Sequence, residues 1–175
     1  MQTLQETKSN ELRNIDNLGV SVDELFQCLR EMKEYPDVEW VTENVEKPDL
    51  ISAYDSFMNI VREARKAFPE KEPDKGFDTL QKAIVTALQK ERFINPAKEK
   101  DLMSIFALFD KKLKPTLNRW ESKEDAKFYE EKISTAFEVS VKPLVQAWKE
   151  YCHPIITTFL LGAIEKYTQL KKACQ

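Results

Sequence analysis

The sequence predicts an all-α protein, a single-domain antiparallel bundle of about six helices with proline kinks. Three observations lead there. Apolar residues recur at three- and four-residue spacing along most of the chain, the pattern of one buried helix face. Glycine is scarce, at Gly19, Gly76 and Gly162 only, which argues against sheets built on tight hairpins and against a glycine-rich phosphate loop. Strand-like alternation occurs once, in DVEWVT at 37–42, too short and solitary to build a sheet.

Residues 1–20 are polar with thin apolar spacing (Leu4, Leu12, Ile15, Leu18) and predict a loosely docked first helix ending at Gly19. The bundle domain is expected over 21–175. Ser21 and Glu24 have capping-box spacing, in which hydroxyl and carboxylate satisfy each other's orphan N–H groups. Val22, Leu25, Phe26, Leu29 and Met32 then form one apolar face, expected to meet the core, and Tyr35-Pro36 stops the helix. The stretch 37–42 reads as an extended connector that tucks Val38, Trp40 or Val41 against the core.

Lys47-Pro48-Asp49 opens the next helix, with Pro48 in its first turn, where a missing N–H costs nothing. Its stripe is Leu50, Tyr54, Phe57, Val61, Ala64 and Phe68. PEKEPDKG at 69–76 is the clearest loop. Phe77, Leu80, Ile84, Ala87 and Leu88 mark a further helix. Asn95-Pro96 reads as cap and first residue of a helix through Leu102, Ile105, Phe106, Phe109 and Leu113. Ser122 opens another, through Tyr129, Ile133, Phe137, Val141, Leu144 and Trp148. The last helix begins after His153-Pro154 and carries Ile156, Leu160, Ala163, Tyr167, Leu170 and Cys174.

Two stretches repeat a pattern 28 residues apart: FDKKLKPTLNRW at 109–120 and FEVSVKPLVQAW at 137–148. Each places Phe, an apolar residue at +4 and +8, Lys-Pro at +5 and +6, and Trp at +11. An interior proline costs a helix about 3 kcal/mol, so the expected form is a pair of core-facing helices bent at Pro115 and Pro143, with Trp beyond each bend. An internal duplication is the second reading.

Composition narrows the function. A chain 42% hydrophobic and 33% charged is globular rather than disordered. At 175 residues it is long enough to build a core without disulfides or metal. The net charge of −3 comes from acids and bases mixed along the chain, which marks no nucleic-acid or membrane surface. Cys28, Cys152 and Cys174 are odd in number and widely spaced, fitting a reduced compartment. The opening MQTLQETKSNELRN has no apolar core stretch, so no signal peptide is expected. IITTFLLGAI at 155–164 is half the length of a membrane span. The expected location is the cytoplasm.

Catalytic constellations are missing from the sequence. His153 is the one histidine, and Cys152 beside it points elsewhere in any regular structure. Glu150 and His153 have the spacing used in di-iron bundles, but that site needs two such pairs. No CxxC, HExxH or GxxxxGK[ST] occurs, so no cofactor or metal is expected. The predicted activity is therefore non-enzymatic: an interaction or scaffold module for another protein. A bundle holding a lipid or pigment among its aromatic residues is the alternative. The candidate interaction surface comprises Arg62, Arg65 and Lys66, then Lys111, Lys112 and Lys114, suited to an acidic partner, together with Trp40 as an anchor.

WVTENVEKP at 40–48, preceded by Leu25-Phe26 and Leu29, resembles the stretch joining two helices in the N-terminal helical domain of cyclase-associated proteins. AFEVSVKPL at 136–144 is similar to that domain's opening helix. The two stretches stand in reverse order here, Tyr151-Cys-His-Pro154 replaces the family's Gly-Gly, and the closing Thr-Thr-Gly segment is absent. The resemblance implies an all-α, roughly six-helix bundle that acts in actin-filament turnover with cofilin–actin as partner. It assigns no functional residue.

Overall fold

A computed structural model describes residues 13–35, 37–40, 42–43 and 45–173. The fold is an all-α helical bundle, with no strand among the described residues. Its α-helices are α1 (Val22–Glu34), α2 (Leu50–Lys66), α3 (Thr79–Glu91), α4 (Glu99–Phe106), α5 (Lys123–Ala136) and α6 (Lys142–Ala173). A 3-10 turn spans Leu117–Arg119 and a π-helical turn spans Phe137–Val141. Residues 13–17 are also helical, and the chain leaves them through Gly19, whose φ of 77° is open to glycine at little cost. Contacts divide the chain into two compact units, Asp49–Gln146 and Met1–Pro48 with Ala147–Gln175.

In the Asp49–Gln146 unit, α2 is the central element and packs against α3, α4, α5 and the π-turn. Its stripe reads as expected: Leu50, Tyr54, Phe57, Val61 and Ala64 are all buried. Phe57 is the hub. Its ring meets Phe109 edge-on at 4.9 Å, Phe137 at 6.1 Å and Phe106 at 6.3 Å, the arrangement that aromatic quadrupoles favour. A second cluster joins Phe68 to Trp120 at 5.1 Å and to Phe77 at 5.4 Å.

The repeated FxxxxKP pattern takes two different structures. The predicted helix through Leu113 ends at Phe106, and Pro115 lies in an irregular segment, not at a helix bend. Lys114 precedes a proline, which disfavours helix, and the segment finds better partners on α3. The Thr116 N–H donates to Asp78 Oδ2 at 2.7 Å and the Thr79 hydroxyl to the Lys114 carbonyl at 3.0 Å. Pro143 does lie in helix. Just before it the Lys142 N–H reaches back five residues to the Phe137 carbonyl, a wider turn that relieves the clash between a proline ring and the turn preceding it.

Other boundaries differ from expectation. Pro48 stands before the helix, whose N-cap is Asp49, with Asp49 Oδ1 accepting from Ser52 N at 3.0 Å. Asn95 holds a local turn, accepting from Ala97 N at 3.0 Å, while α4 begins at Glu99. Pro154 does not separate two helices: α6 runs through it, with Pro154 buried between Cys152 and Thr157. Burial of that ring on the inward face offsets the ladder bond it cannot make.

In the unit formed by Met1–Pro48 and Ala147–Gln175, the buried residues include Ile15, Met32, Trp148, Cys152, Pro154, Thr157 and Leu160. The expected capping box is present: the Ser21 N–H donates to Glu24 Oε2 at 2.7 Å and the Glu24 N–H to Ser21 Oγ at 3.2 Å. Along α1, only Met32 of the apolar stripe is buried. Leu25 and Leu29 are half-buried, but Val22 is 66% exposed and Phe26 56%, so that part of the face expected to meet the core is left uncovered. Val38 does not tuck against a core, being 50% exposed; Trp40 is partly buried, and Val41 lies outside the described residues.

Candidate functional site

The lysine-rich segment after α4 is held by a buried carboxylate. Asp78 caps α3, its Oδ1 accepting from Gln81 N at 2.8 Å, while the Gln81 amide oxygen accepts from Asp78 N at 3.1 Å. Asp78 Oδ2 accepts from Thr116 N at 2.7 Å and from Trp120 Nε1 at 2.8 Å. The Gln81 amide donates to the Arg119 carbonyl at 2.8 Å, and Arg119 donates to the Gly76 carbonyl at 3.1 Å. One cap thus fixes a segment nearly forty residues away and leaves Lys111, Lys112 and Lys114 exposed on it.

Lys111 and Lys112 line an open cleft of about 460 Å³, with Leu80, Phe109, Leu113, Ile133 and Phe137 among its apolar walls. Lys114 is not among the lining residues. Asp110, Glu130, Glu138 and Lys142 also line it, and Lys142 pairs with Glu138 at 2.7 Å. Three acids and three bases thus line the cleft, which leaves its charged lining balanced.

The three bases of α2 differ in surroundings. Arg62 is clamped by an ion pair with Glu91 and donates to Asn59 Oδ1 at 2.7 Å. Its hydrogen bond to Glu91 raises the guanidinium pKa above its ordinary value. Tyr54 O–H also reaches Glu91, at 3.5 Å, and burial followed by the Glu91 charge pushes the phenol to about 12. The Arg65 guanidinium lies over the Phe68 ring at 4.7 Å, and Lys66 is exposed.

Trp40 belongs to the other unit. It is the one tryptophan not buried; Trp120 is 5% exposed and Trp148 3%. It sits in a connector with exposed Val38 and Val45 and the carboxylates of Asp37, Glu39, Glu43 and Glu46. Periodicity had assigned Val22 and Phe26 to a core, because an amphipathic stripe has the same spacing whether it meets its own chain or another. Charge counted by segment carries a signal that the whole-chain total hides: residues 13–48 hold 9 acidic and 4 basic side chains.

His153 is exposed while Cys152 is buried. Burial also raises the Cys28 thiol pKa, with the Glu31 carboxylate adding to it, which disfavours a thiolate nucleophile. Among the described residues, no group of three or more His, Cys, Asp or Glu could hold a metal ion, and no helix is long and apolar enough to cross a membrane. No family model, curated protein or solved structure matches the chain.

Proposed function

We propose that this chain is a non-enzymatic helical-bundle module that docks another protein. The observation that carries this reading is the uncovered ridge of α1. Val22 and Phe26 stand one turn apart on one face, each more than half exposed, on a helix that is otherwise well capped and well formed. Exposed apolar side chains standing together on an ordered helix are a feature of docking faces. Trp40 adds a partly exposed aromatic of the type that anchors interfaces. The resemblance to cyclase-associated proteins makes cofilin-decorated actin the first partner to assay, by co-sedimentation.

Full burial of a Val or Phe side chain stabilises a complex by about 1.5–3 kcal/mol each. Removing both is therefore expected to weaken docking by about a hundredfold or more, at about 1.4 kcal/mol per factor of ten. The test is affinity capture from a cell extract with the wild type and with Val22→Ser/Phe26→Ser, after circular dichroism has shown equal helicity. A specific protein retained by the wild type and lost by the variant supports the reading. Equal capture by both chains, or nothing specific captured by the wild type, overturns it.

A further inference from the structure

We propose that Asp37, Glu39, Glu43 and Glu46, with Val38, Trp40 and Val45 among them, form a docking surface for a lysine- and arginine-rich protein. This names the chemistry of a partner and so rests on the interaction-module reading, but it concerns a stretch separate from the α1 ridge.

Charge gives the first argument. The segment carries four carboxylates in ten residues and no base. Asp37, Glu39, Glu43 and Glu46 are all exposed. A surface of this sign repels nucleic acid and anionic lipid, and rewards guanidinium and ammonium groups, whose bonds to carboxylates are the strong, directional kind.

Apolar content gives the second. Val38 is 50% exposed and Val45 41%, and between them stands Trp40, the tryptophan that the fold leaves partly uncovered. Acidic solvent-facing loops have no need of two valines and a tryptophan in ten residues. The combination of an aromatic anchor with a charged rim is how interface centres are built.

The backbone gives the third. The described residues of the segment lie in neither helix nor strand, and Val38 N–H to the Tyr35 carbonyl, at 3.2 Å, is its one main-chain hydrogen bond among the described residues. Backbone that lies outside helix and sheet is the kind that an extended partner pairs along.

The probe is a blocked peptide of about fourteen residues alternating lysine and valine, set against its glutamate–valine counterpart, with the full chain as receptor. Trp40 is the reporter, since the two buried tryptophans are shielded from acrylamide. The lysine peptide is expected to shift the emission to the blue and to protect it from quenching, and Trp40→Phe to abolish that signal. Glu39→Lys/Glu43→Lys is expected to lower the affinity at least about tenfold, while the same charge change at Glu70→Lys/Glu72→Lys, in a loop of the other unit with three acids and two bases, leaves it unchanged. Raising salt from about 0.1 M to about 1 M shortens the screening length from about 10 Å to about 3 Å and is expected to remove most of the binding.

Absence of binding, equal binding of the two peptides, or an equal loss from the Glu70/Glu72 control overturns the inference. So does concentration-dependent self-association in the ultracentrifuge that Glu39→Lys/Glu43→Lys abolishes, which hands the segment to a second copy of the chain. A negative peptide result beside intact, Phe26-dependent capture removes this inference and leaves the interaction-module reading standing.

Discussion

Asp78→Ala is the substitution whose cost the structure specifies most fully. The carboxylate is 4% exposed and accepts three N–H groups, from Gln81, Thr116 and the Trp120 indole. Loss of the helix cap alone costs about 1 kcal/mol. The Thr116 N–H and the Trp120 Nε1–H are then left without an acceptor, at about 1–3 kcal/mol each. Thr116 is itself exposed and water can reach its amide, so the lower part of that range applies to it and the total is about 3–5 kcal/mol. Asp78→Asn keeps one carbonyl oxygen but turns an NH₂ toward the remaining donor, and is expected to lose about half as much. Urea unfolding followed by tryptophan fluorescence measures both. Amide exchange at Thr116 is expected to quicken by more than exchange in α2. A loss below about 1 kcal/mol for the alanine variant would refute the claim that this carboxylate ties the 112–120 segment to α3.

The remaining predictions concern packing, capping and titration. Phe57→Ala, which empties the hub between Phe106, Phe109 and Phe137, is expected to cost about 3–5 kcal/mol in urea unfolding; a cost under about 1 kcal/mol contradicts a tightly packed aromatic core. Ser21→Ala is expected to cost about 1 kcal/mol through the lost cap. Its effect depends on pH, because the Ser21 hydroxyl and N–H hold the Glu24 carboxyl below its ordinary value of 4.5. A depressed carboxylate pKa stabilises the fold above the unfolded value and loses that contribution as pH falls through the folded one. The gap between wild type and Ser21→Ala should therefore be full near neutrality and shrink in acid; a gap constant with pH refutes the carboxylate's part. Ultraviolet titration should show one tyrosine ionising late, at about 12 against the ordinary 10.0, and Tyr54→Phe should remove that late step. Since the raised value favours the neutral phenol in the folded state, its stabilising effect is present below 10.0 and lost as pH rises toward 12.

The parts of this fold legible in the sequence are those fixed by neighbours within one turn. The capping box at Ser21 and Glu24, the cap at Ser122, the stripe of α2 and the loop at 69–76 depend on residues three or four apart. What stayed hidden depends on distant partners. The chain leaves helix after Phe106 and does not resume through Pro115, because Asp78 and Thr79 offer the Lys114–Thr116 backbone bonds from more than thirty residues away. Pro154 reads as a boundary by local rules, yet the ring is buried within α6. The likeness of 109–120 to 137–148 does record shared burial, with Phe109, Trp120, Phe137 and Trp148 all in cores, but it does not fix a shared backbone. The site was less legible than the fold. Trp40 was recognisable as an anchor by residue type, whereas the exposure of Val22 and Phe26 could not be read from an apolar stripe.

Hydroxyl-radical footprinting of the chain alone and with its captured partner tests the central claim most directly. Phe26, Phe93 and Phe128 are 56%, 88% and 55% exposed in the free chain and should all label strongly. If α1 presents the docking ridge, the partner should suppress labelling at Phe26 and Val22 while Phe93 and Phe128 label as before. Protection at Phe93 or Phe128 with Phe26 unchanged would place the interface elsewhere and contradict the account.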